Sequence, residues 1–167
     1  MVDPTFQFVL SPYQNAFFHE LAEAIVFELI KGGCNAAIVD PAAARCDEDC
    51  VFVLLPPHEY VALEGDSWLH DERLLGRTIA LMAEQPHQPH FAQNAAIARS
   101  TAAAFDFNRQ AVSAYRMHRV DARYLSVGYT ESWDTFEASP TWTRDVLFLG
   151  SEEARRQQLL AQCAGPL

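Results

Sequence analysis

The sequence TFQFVLSPYQNAFFHELAEAIVFELIKGGCNAAIVD, residues 5 to 40, decides the fold. Its first part, Thr5 to Leu10, is a short apolar segment and predicts a strand. Its last part, Asn35 to Val39, predicts a second strand that ends at Asp40. Between them, apolar residues recur three and four positions apart, which is typical of an amphipathic helix. The stretch therefore predicts a strand–helix–strand unit.

The helix of this unit carries start and stop signals. We expect Ser11 to be the N-cap, with Pro12 at the first helical position and Gln14 completing a capping box. Gly32 and Gly33 are expected to end the helix. Its apolar stripe is predicted to comprise Phe17, Phe18, Leu21, Ala22, Ile25, Val26 and Leu29.

Strands and helices continue to alternate along the chain. The further strands are predicted at Cys50–Leu55, Arg77–Ala83, Thr101–Phe105 and Arg123–Val127, and the helices between them at His58–Leu63, Asp66–Leu75, Phe91–Ser100 and Arg109–Arg119. Such alternation requires a parallel sheet that is covered on both faces. The fold class is thus predicted to be α/β, a doubly wound, mostly parallel, Rossmann-like sheet in three layers.

A final strand–turn–helix unit is predicted near the end of the sequence. Val146 to Leu149 form a short apolar run, Gly150 and Ser151 a turn, and the helix opens with Glu152. We expect residues 1–143 to form a Rossmann-like domain. Residues 144–167 would either pack on it or begin a second domain that this sequence does not contain.

The opening unit has the layout of a dinucleotide-binding domain, and Asp40 stands where an acidic residue would bind the ribose. However, the first turn is SPYQNA, residues 11 to 16, and it lacks the glycines of the G-x-G-x-x-G motif. Those glycines let a pyrophosphate approach the backbone. We therefore predict no nucleotide cofactor at this turn and no cofactor elsewhere.

Composition limits the classes of partner. The 167 residues carry a formal net charge of -10, which disfavours nucleic acids and anionic membranes because these need clustered lysine and arginine. No run is apolar and long enough to span a bilayer, and the N-terminal residues do not resemble a secretory signal. With four cysteines expected to be reduced thiols, we expect a cytoplasmic protein.

Zinc is the alternative that the cysteines and histidines raise. Cys46 and Cys50 have an allowed spacing, but His87 and His90 are one residue closer together than structural zinc sites prefer. We therefore predict no metal site.

Four segments of the second half resemble the middle of GT-B glycosyltransferases, and most closely the spore-maturation-protein-like and group 1 enzymes. They are AEQPHQPHF at 83–91, AFDFNR at 104–109, VGYTESWD at 127–134, and RDVLFLGS at 144–151 followed by Arg155 and Arg156. The resemblance covers roughly residues 78–160. It implies that residues 1–143 are the acceptor-binding half and that a donor-binding C-terminal domain is absent from this sequence.

The resemblance and the strand ends together give the candidate site. We expect Glu84 and His87 to be catalytic, with Glu84 orienting the histidine. The substrate would be bound by Tyr13, Gln85, His90, Asp106, Arg109 and Tyr129, and the donor phosphates by Gly150, Ser151, Arg155 and Arg156. A simpler alternative stays open for the fifth strand end, where Asp106 or Asn108 would only cap the next helix.

Two functions follow as expectations. In the first, the chain is the acceptor-binding half of a GT-B glycosyltransferase that takes sugar from a nucleotide-sugar donor, and it is inactive without its donor domain. In the second, it is a stand-alone, non-catalytic α/β module for binding or protein interaction. An apolar C-terminal segment at residues 146–160 would favour a homodimer.

Overall fold

A computed structural model describes residues 4–44 and 49–134, together with positions 157, 158 and 161. The chain separates into two compact units, Met1–Thr135 and Phe136–Leu167. All elements given below belong to the first unit. The unit predicted at residues 144–162 lies outside the described residues apart from those three positions, so the boundary after residue 143 stays a prediction.

The first unit is an α/β fold built on a six-stranded parallel sheet. The strands are β1 (Thr5–Val9), β2 (Asn35–Val39), β3 (Cys50–Leu54), β4 (Thr78–Met82), β5 (Ala103–Asp106) and β6 (Ala122–Tyr124), in the order β2-β1-β3-β4-β5-β6. Every pair of neighbouring strands is parallel. The predicted fold class, a doubly wound Rossmann-like sheet in three layers, is confirmed.

Five α-helices connect the strands: α1 (Ala16–Lys31), α2 (Pro57–Glu64), α3 (Glu72–Leu75), α4 (His90–Ala98) and α5 (Arg109–Tyr115). Short 3-10 turns add Pro41–Ala43, Ser67–His70, Arg116–His118 and Glu131–Trp133. No helix in the described part is long and apolar enough to cross a membrane.

The sheet has two differently covered faces because successive side chains of a strand point to opposite sides. On the α1 face, α1 packs through Phe18, Leu21 and Ala22 against strand residues such as Val53 and Leu81. The opposite face, called the α4 face here, is covered by α2 to α5. Its buried residues include Phe52, Leu54, Tyr60 and Leu75 at one end and Ala80, Met82, Phe91 and Tyr115 at the other.

The predicted start of α1 is wrong. The helix begins at Ala16, and Asn15 is its N-cap, with Oδ1 accepting a hydrogen bond of 3.0 Å from the Phe17 N–H. Ser11 to Gln14 form a turn instead, because the Gln14 side chain donates to the Leu55 carbonyl and the Asn15 N–H donates to Glu59 Oε1 at 2.6 Å. These contacts with Leu55, which follows β3, and with Glu59 of α2 hold the turn outside the helix.

Other element boundaries also differ from prediction. Phe17, expected in the apolar stripe of α1, is 57% exposed. The single helix expected at Asp66–Leu75 is divided, because Asp71 adopts an extended conformation and caps α3 through the N–H groups of Arg73 and Leu74. Strand β5 starts two residues later than expected, where the Thr101 hydroxyl donates to the carbonyls of Ala98 and Ala103.

Candidate functional site

The carboxyl ends of the parallel strands place several polar side chains along one edge of the sheet. In such folds this edge is the usual position of a ligand, and the strand order reverses here between β1 and β3. Helices α2, α4 and α5 begin at the same edge, since each follows the end of a strand. Residues from β3 to β5 therefore meet at this edge on the α4 face.

A chain of three side chains, Asn94–His58–Glu84, is the most ordered part of this edge. Asn94 is fully buried in α4, and its Oδ1 accepts a hydrogen bond of 2.9 Å from the backbone N–H of His58. Its Nδ2 lies 3.0 Å from His58 Nδ1. On the other side of the ring, His58 Nε2 lies 3.7 Å from Glu84 Oε1.

These contacts fix the tautomer of the neutral His58 ring. A backbone N–H can only donate, so the Asn94 atom that faces it must be the oxygen. The Asn94 amide nitrogen then donates to Nδ1, which leaves the ring proton on Nε2, directed at the Glu84 carboxylate. When His58 is protonated, Nδ1 can donate to Asn94 Oδ1 at 3.2 Å instead.

Burial lowers the pKa of His58 below its ordinary value of 6.5. The Glu84 carboxylate opposes this shift, whereas the charge of His90 adds to it, and the Asn94 hydrogen bond and Glu59 raise the pKa further. Because desolvation is the largest of these effects, the ring is neutral at pH 7.

His90 stacks on His58, with the ring centroids 4.5 Å apart and the planes inclined by 13°. His90 begins α4 and is exposed to solvent, as are Gln85 and His87. Within the described chain, the contact found for the His87 ring is with the adjacent Gln88, at 3.5 Å. Of the sequence-predicted residues after β4, the structure thus brings Glu84 and His90 together at His58 and leaves His87 and Gln85 at the surface.

Asp106 ends β5 and is completely buried, with 0% of its surface exposed. Its Oδ1 accepts a hydrogen bond of 2.6 Å from the Asn108 N–H. The cap of α5 is Asn108, which accepts from the N–H groups of Gln110 and Ala111. Burial raises the pKa of Asp106 to about 7, and the charge of Glu84 raises it further, against the Asn108 N–H and the Tyr115 hydroxyl, which lower it.

Tyr115 lies behind Asp106 and is also 0% exposed. Its ring stacks on Phe91 with the centroids 4.1 Å apart. Burial raises its pKa above 10.0, and the charges of Asp106 and Glu84 add to the increase. Tyr115 Oη and Asp106 Oδ2 are close enough to affect each other's pKa, but neither atom makes a hydrogen bond of acceptable geometry within the described residues.

The remaining predicted substrate-binding residues lie apart from this cluster. The Arg109 guanidinium lies over the Tyr124 ring, 4.6 Å from its centroid. Tyr13 is 83% exposed in the turn after β1. Tyr129 is 73% exposed, and its hydroxyl donates to Asp134 Oδ2 at 3.4 Å. The predicted donor-phosphate residues Gly150, Ser151, Arg155 and Arg156 are outside the described residues.

Tyr129 borders a second feature, a mostly apolar groove on the α1 face that we call the α1 groove. Its cavity has a volume of about 350 Å³. The lining residues include Leu21, Ile25, Leu29, Phe107, Leu125, Val127 and Trp133. At its polar end, the Thr130 hydroxyl donates to Glu28 Oε1 at 2.7 Å.

Two members of the cluster, Asn94 and Tyr115, were not predicted as site residues, and His58 was predicted only as the first residue of a helix. Asn94 is four residues after His90 and therefore one helical turn further along α4. That spacing from a predicted site residue was the signal in the sequence that could have identified Asn94. Nothing local marks Tyr115, because it reaches Asp106 through the packing of α5.

Among residues 4–44 and 49–134, no three His, Cys, Asp or Glu side chains come together in a way that could hold a metal ion. Cys46, one member of the zinc alternative, lies outside these residues.

Comparison of the chain with models of known protein families, with curated proteins and with solved structures finds no match.

Proposed function

We propose that the first unit binds a hydroxyl-bearing small molecule, a sugar or related acceptor, at the carboxyl edge of its sheet on the α4 face. In this proposal the unit is the acceptor-binding half of a GT-B type glycosyltransferase, and Glu84 takes the proton of the acceptor hydroxyl. The observation that carries the proposal is the Asn94–His58–Glu84 chain.

Glu84 is the member of the chain that a ligand can reach. Its side chain is 22% exposed, whereas that of His58 is 10% exposed, with Nδ1 hydrogen-bonded to Asn94 and Nε2 3.7 Å from Glu84 Oε1. A general base needs a free lone pair at the reacting proton and a fixed orientation. Glu84 has carboxylate lone pairs on a partly exposed side chain, and the proposal assigns its orientation to His58, whose Nε2 lies 3.7 Å from Glu84 Oε1.

The proposal assigns His87 and His58 differently from the sequence-based expectation. His87 was expected to be catalytic and oriented by Glu84. It is exposed, and the contact found for its ring in the described residues is with Gln88 at 3.5 Å rather than with Glu84. The histidine that lies next to the Glu84 carboxylate is instead His58. In this proposal His58 positions Glu84 and does not itself act on the substrate.

Acceptor binding can be tested by titrating the ¹⁵N-labelled chain with millimolar monosaccharides and following its amide resonances. We expect saturable shifts at Glu84, His90 and Asn94. Glu84→Gln should weaken binding about tenfold, because a hydrogen bond to a charged group is worth about 1.5–3 kcal/mol. The matched control is Glu23→Gln, an exposed glutamate on α1. Absence of saturable shifts, or equal binding by both variants, would overturn the proposal.

The α1 groove favours the second candidate function, a non-catalytic binding or interaction module. Exposed apolar surface of this kind is common at sites where proteins or apolar ligands bind. In the same titration, shifts confined to Leu21, Val127 and Trp133 would support this function instead.

A further inference from the structure

A polar cavity of about 450 Å³ lies at the amino edge of the sheet, opposite the edge that carries the proposed acceptor site. Its walls come from the end of α4, the starts of β5 and β6, and the residues just before these strands. Ala98 and residues 102–104 line it with small alanine side chains, which leave the space between the elements unfilled. Small-molecule sites in proteins have volumes of about 300–1,000 Å³. The cavity therefore has room for a small molecule.

Three arginines line this cavity, and each comes from a different element. Arg99 follows α4, Arg119 follows the 3-10 turn Arg116–His118, and Arg123 lies in β6. All three are exposed, so their guanidinium groups can be reached from solvent. The whole chain has only 12 lysines and arginines against 22 aspartates and glutamates. The meeting of three arginines at one cavity therefore gives this acidic chain a local positive surface.

The positive charge of this cavity is not compensated within the described residues. Their ion pairs join Lys31 to Glu131, His58 to Glu84, and His70 to Asp66, and none involves a lining arginine. Among the described lining residues, Asp121 supplies the single carboxylate. Three positive charges and one negative charge leave the cavity with a net charge of +2.

Helix dipoles account for only part of this arrangement. Arg99 and Arg119 lie at C-terminal ends, where a cation is favoured by the partial negative charge. Arg123 lies in a strand, so no helix end explains it. The partial charge of a helix end is about half an elementary charge, which is smaller than the full charge of each arginine. The net field in the cavity therefore still attracts anions.

Arg119 has a backbone conformation that favours glycine. Its φ is 58° and its ψ is 36°, and it is the one residue other than glycine with a positive φ in the described part of the chain. Its N–H donates to the Arg116 carbonyl at 3.0 Å and ends the turn. Glycine is the usual residue at such a position because a side chain is disfavoured in the left-handed region. The arginine thus places a charged side chain at the cavity where glycine would suit the backbone better.

We propose that this cavity binds a small phosphate monoester, whose phosphate group is held by Arg99, Arg119 and Arg123. Guanidinium groups carry forked N–H donors that match the oxygens of a phosphate. A phosphate monoester has three acceptor oxygens and a charge of about −1.5 to −2 at pH 7, which matches the three arginines and the net charge of the cavity. The remainder of the molecule occupies the space along residues 102–104.

Other anions match the cavity less well. A monocarboxylate brings one charge and two oxygens to three arginines. A nucleic acid needs an extended basic surface, whereas this chain has a formal net charge of -10. The phosphate site does not depend on the proposed acceptor function, because it lies at the opposite edge of the sheet.

Binding can be tested by titrating the full ¹⁵N-labelled chain with methyl phosphate in a buffer free of phosphate, with acetate and succinate as comparison ligands. We expect saturable amide shifts at Thr101, Arg119 and Asp121 with methyl phosphate, and affinities about tenfold lower for both carboxylates. Absence of saturable shifts at these residues would refute the site. Equal affinities for methyl phosphate and succinate would show a site for dianions in general and overturn the assignment to phosphate.

Variants distinguish a built site from diffuse charge. Arg99→Gln and Arg123→Gln should each weaken methyl phosphate binding about tenfold, because each removes a charge-assisted hydrogen bond. Arg116→Gln is the matched control, since Arg116 is exposed close by but does not line the cavity. It should weaken binding by less than about twofold because solvent and salt screen its charge. Equal losses in all three variants would refute the cavity as the site.

The negative charge of Asp121 gives a test of opposite sign. Asp121→Asn removes the single described carboxylate of the cavity and should tighten methyl phosphate binding several-fold. Unchanged or weaker binding in this variant would contradict a phosphate held next to Asp121.

Arg119→Gly separates binding from folding. Glycine adopts the left-handed conformation readily, so we expect the variant to unfold at the same temperature as the wild type or at a higher one. It should nevertheless bind methyl phosphate about tenfold more weakly, because one of the three guanidinium groups is gone. A folded Arg119→Gly variant with wild-type affinity would refute the three-arginine site.

Discussion

At the carboxyl edge, the two faces of the sheet differ in whether particular buried polar atoms have hydrogen-bond partners. On the α1 face, the buried Thr130 hydroxyl has a partner in Glu28, and the surrounding α1 groove is mostly apolar and open. On the α4 face, Asp106 and Tyr115 are completely buried, and each has an atom without a partner in the described residues. The α1 face thus satisfies the Thr130 hydroxyl and exposes apolar surface, while the α4 face buries two polar atoms, Asp106 Oδ2 and Tyr115 Oη, at a cost.

The difference separates a polar group that stabilises the fold from polar groups that cost stability at the same edge of the sheet. A satisfied hydroxyl contributes to stability, so selection for folding explains Thr130. Unsatisfied buried groups reduce stability and are typical of positions whose arrangement serves binding or catalysis. If the comparison is correct, removing polar atoms should destabilise the protein on the α1 face and stabilise it on the α4 face.

The largest expected effect is that of Asp106→Asn on stability above neutral pH. The pKa of Asp106 is raised from 3.8 to about 7 in the folded protein, so folding favours the protonated form. The stability that this group supports is fully present below pH 4 and is lost as the pH rises to about 7. A pKa difference of about three units corresponds to about 4 kcal/mol of unfolding free energy. The wild type loses this stability as the pH rises, and Asp106→Asn does not. Urea unfolding at pH 4 and pH 8 measures the difference.

The decisive quantity is the difference in unfolding free energy between Asp106→Asn and the wild type, and how this difference changes with pH. We expect Asp106→Asn to equal the wild type near pH 4 and to exceed it in unfolding free energy at pH 8. Asp121→Asn, which alters an exposed carboxylate, should show no such divergence. An Asp106→Asn variant that is less stable than wild type at pH 8 would mean that the carboxylate is compensated in the folded protein.

The next two substitutions should have smaller effects on stability, and in opposite directions on the two faces. At pH 5, below the Asp106 pKa of about 7, the Tyr115 hydroxyl has no Asp106 carboxylate to stabilise. Under that condition Tyr115→Phe keeps the ring stacked on Phe91 and removes a buried hydroxyl, so we expect unchanged or increased stability, by up to about 1 kcal/mol. Thr130→Val removes the hydroxyl that donates to Glu28 at 2.7 Å and should cost about 1 kcal/mol. Thermal unfolding of both variants under one set of conditions provides the measurement. Two losses of similar size would remove the distinction between the faces.

The fold was predictable from the sequence because it depends on patterns that are local and repeated. Apolar segments alternating with amphipathic ones predicted all six strands of the described unit and their parallel arrangement. Boundaries were less predictable, since contacts between distant segments decided them. The turn Ser11 to Gln14 looks like a helix start in sequence but is held outside the helix by Leu55 and Glu59.

The candidate site was predictable only where residues follow a strand directly. Glu84, His90 and Asp106 were identified because the ends of parallel strands meet at one edge. The sequence could not show that Asp106 is buried, since its strand was expected to end one residue earlier. Nor could it show Asn94 and Tyr115, which reach the edge from the bodies of helices α4 and α5. Their roles depend on packing distances that no local pattern records.

The smallest effect concerns the charge of His58. Glu84 is the largest of the influences that raise the His58 pKa, and Glu59 is the smallest. Glu84→Gln should therefore lower the His58 pKa further below 6.5, and Glu59→Gln should lower it less, because Glu59 contributes less to raising it. In Glu59→Gln the amide oxygen can still accept from the Asn15 N–H, so the turn before α1 keeps its contact. Titration of the imidazole nitrogens by NMR gives both shifts, and at pH 8 it also reports whether the proton resides on Nε2. A proton on Nδ1, or a larger shift in Glu59→Gln, would break the Asn94–His58–Glu84 chain. The orientation of the Glu84 carboxylate by His58 would then no longer distinguish the α4 face from the α1 face.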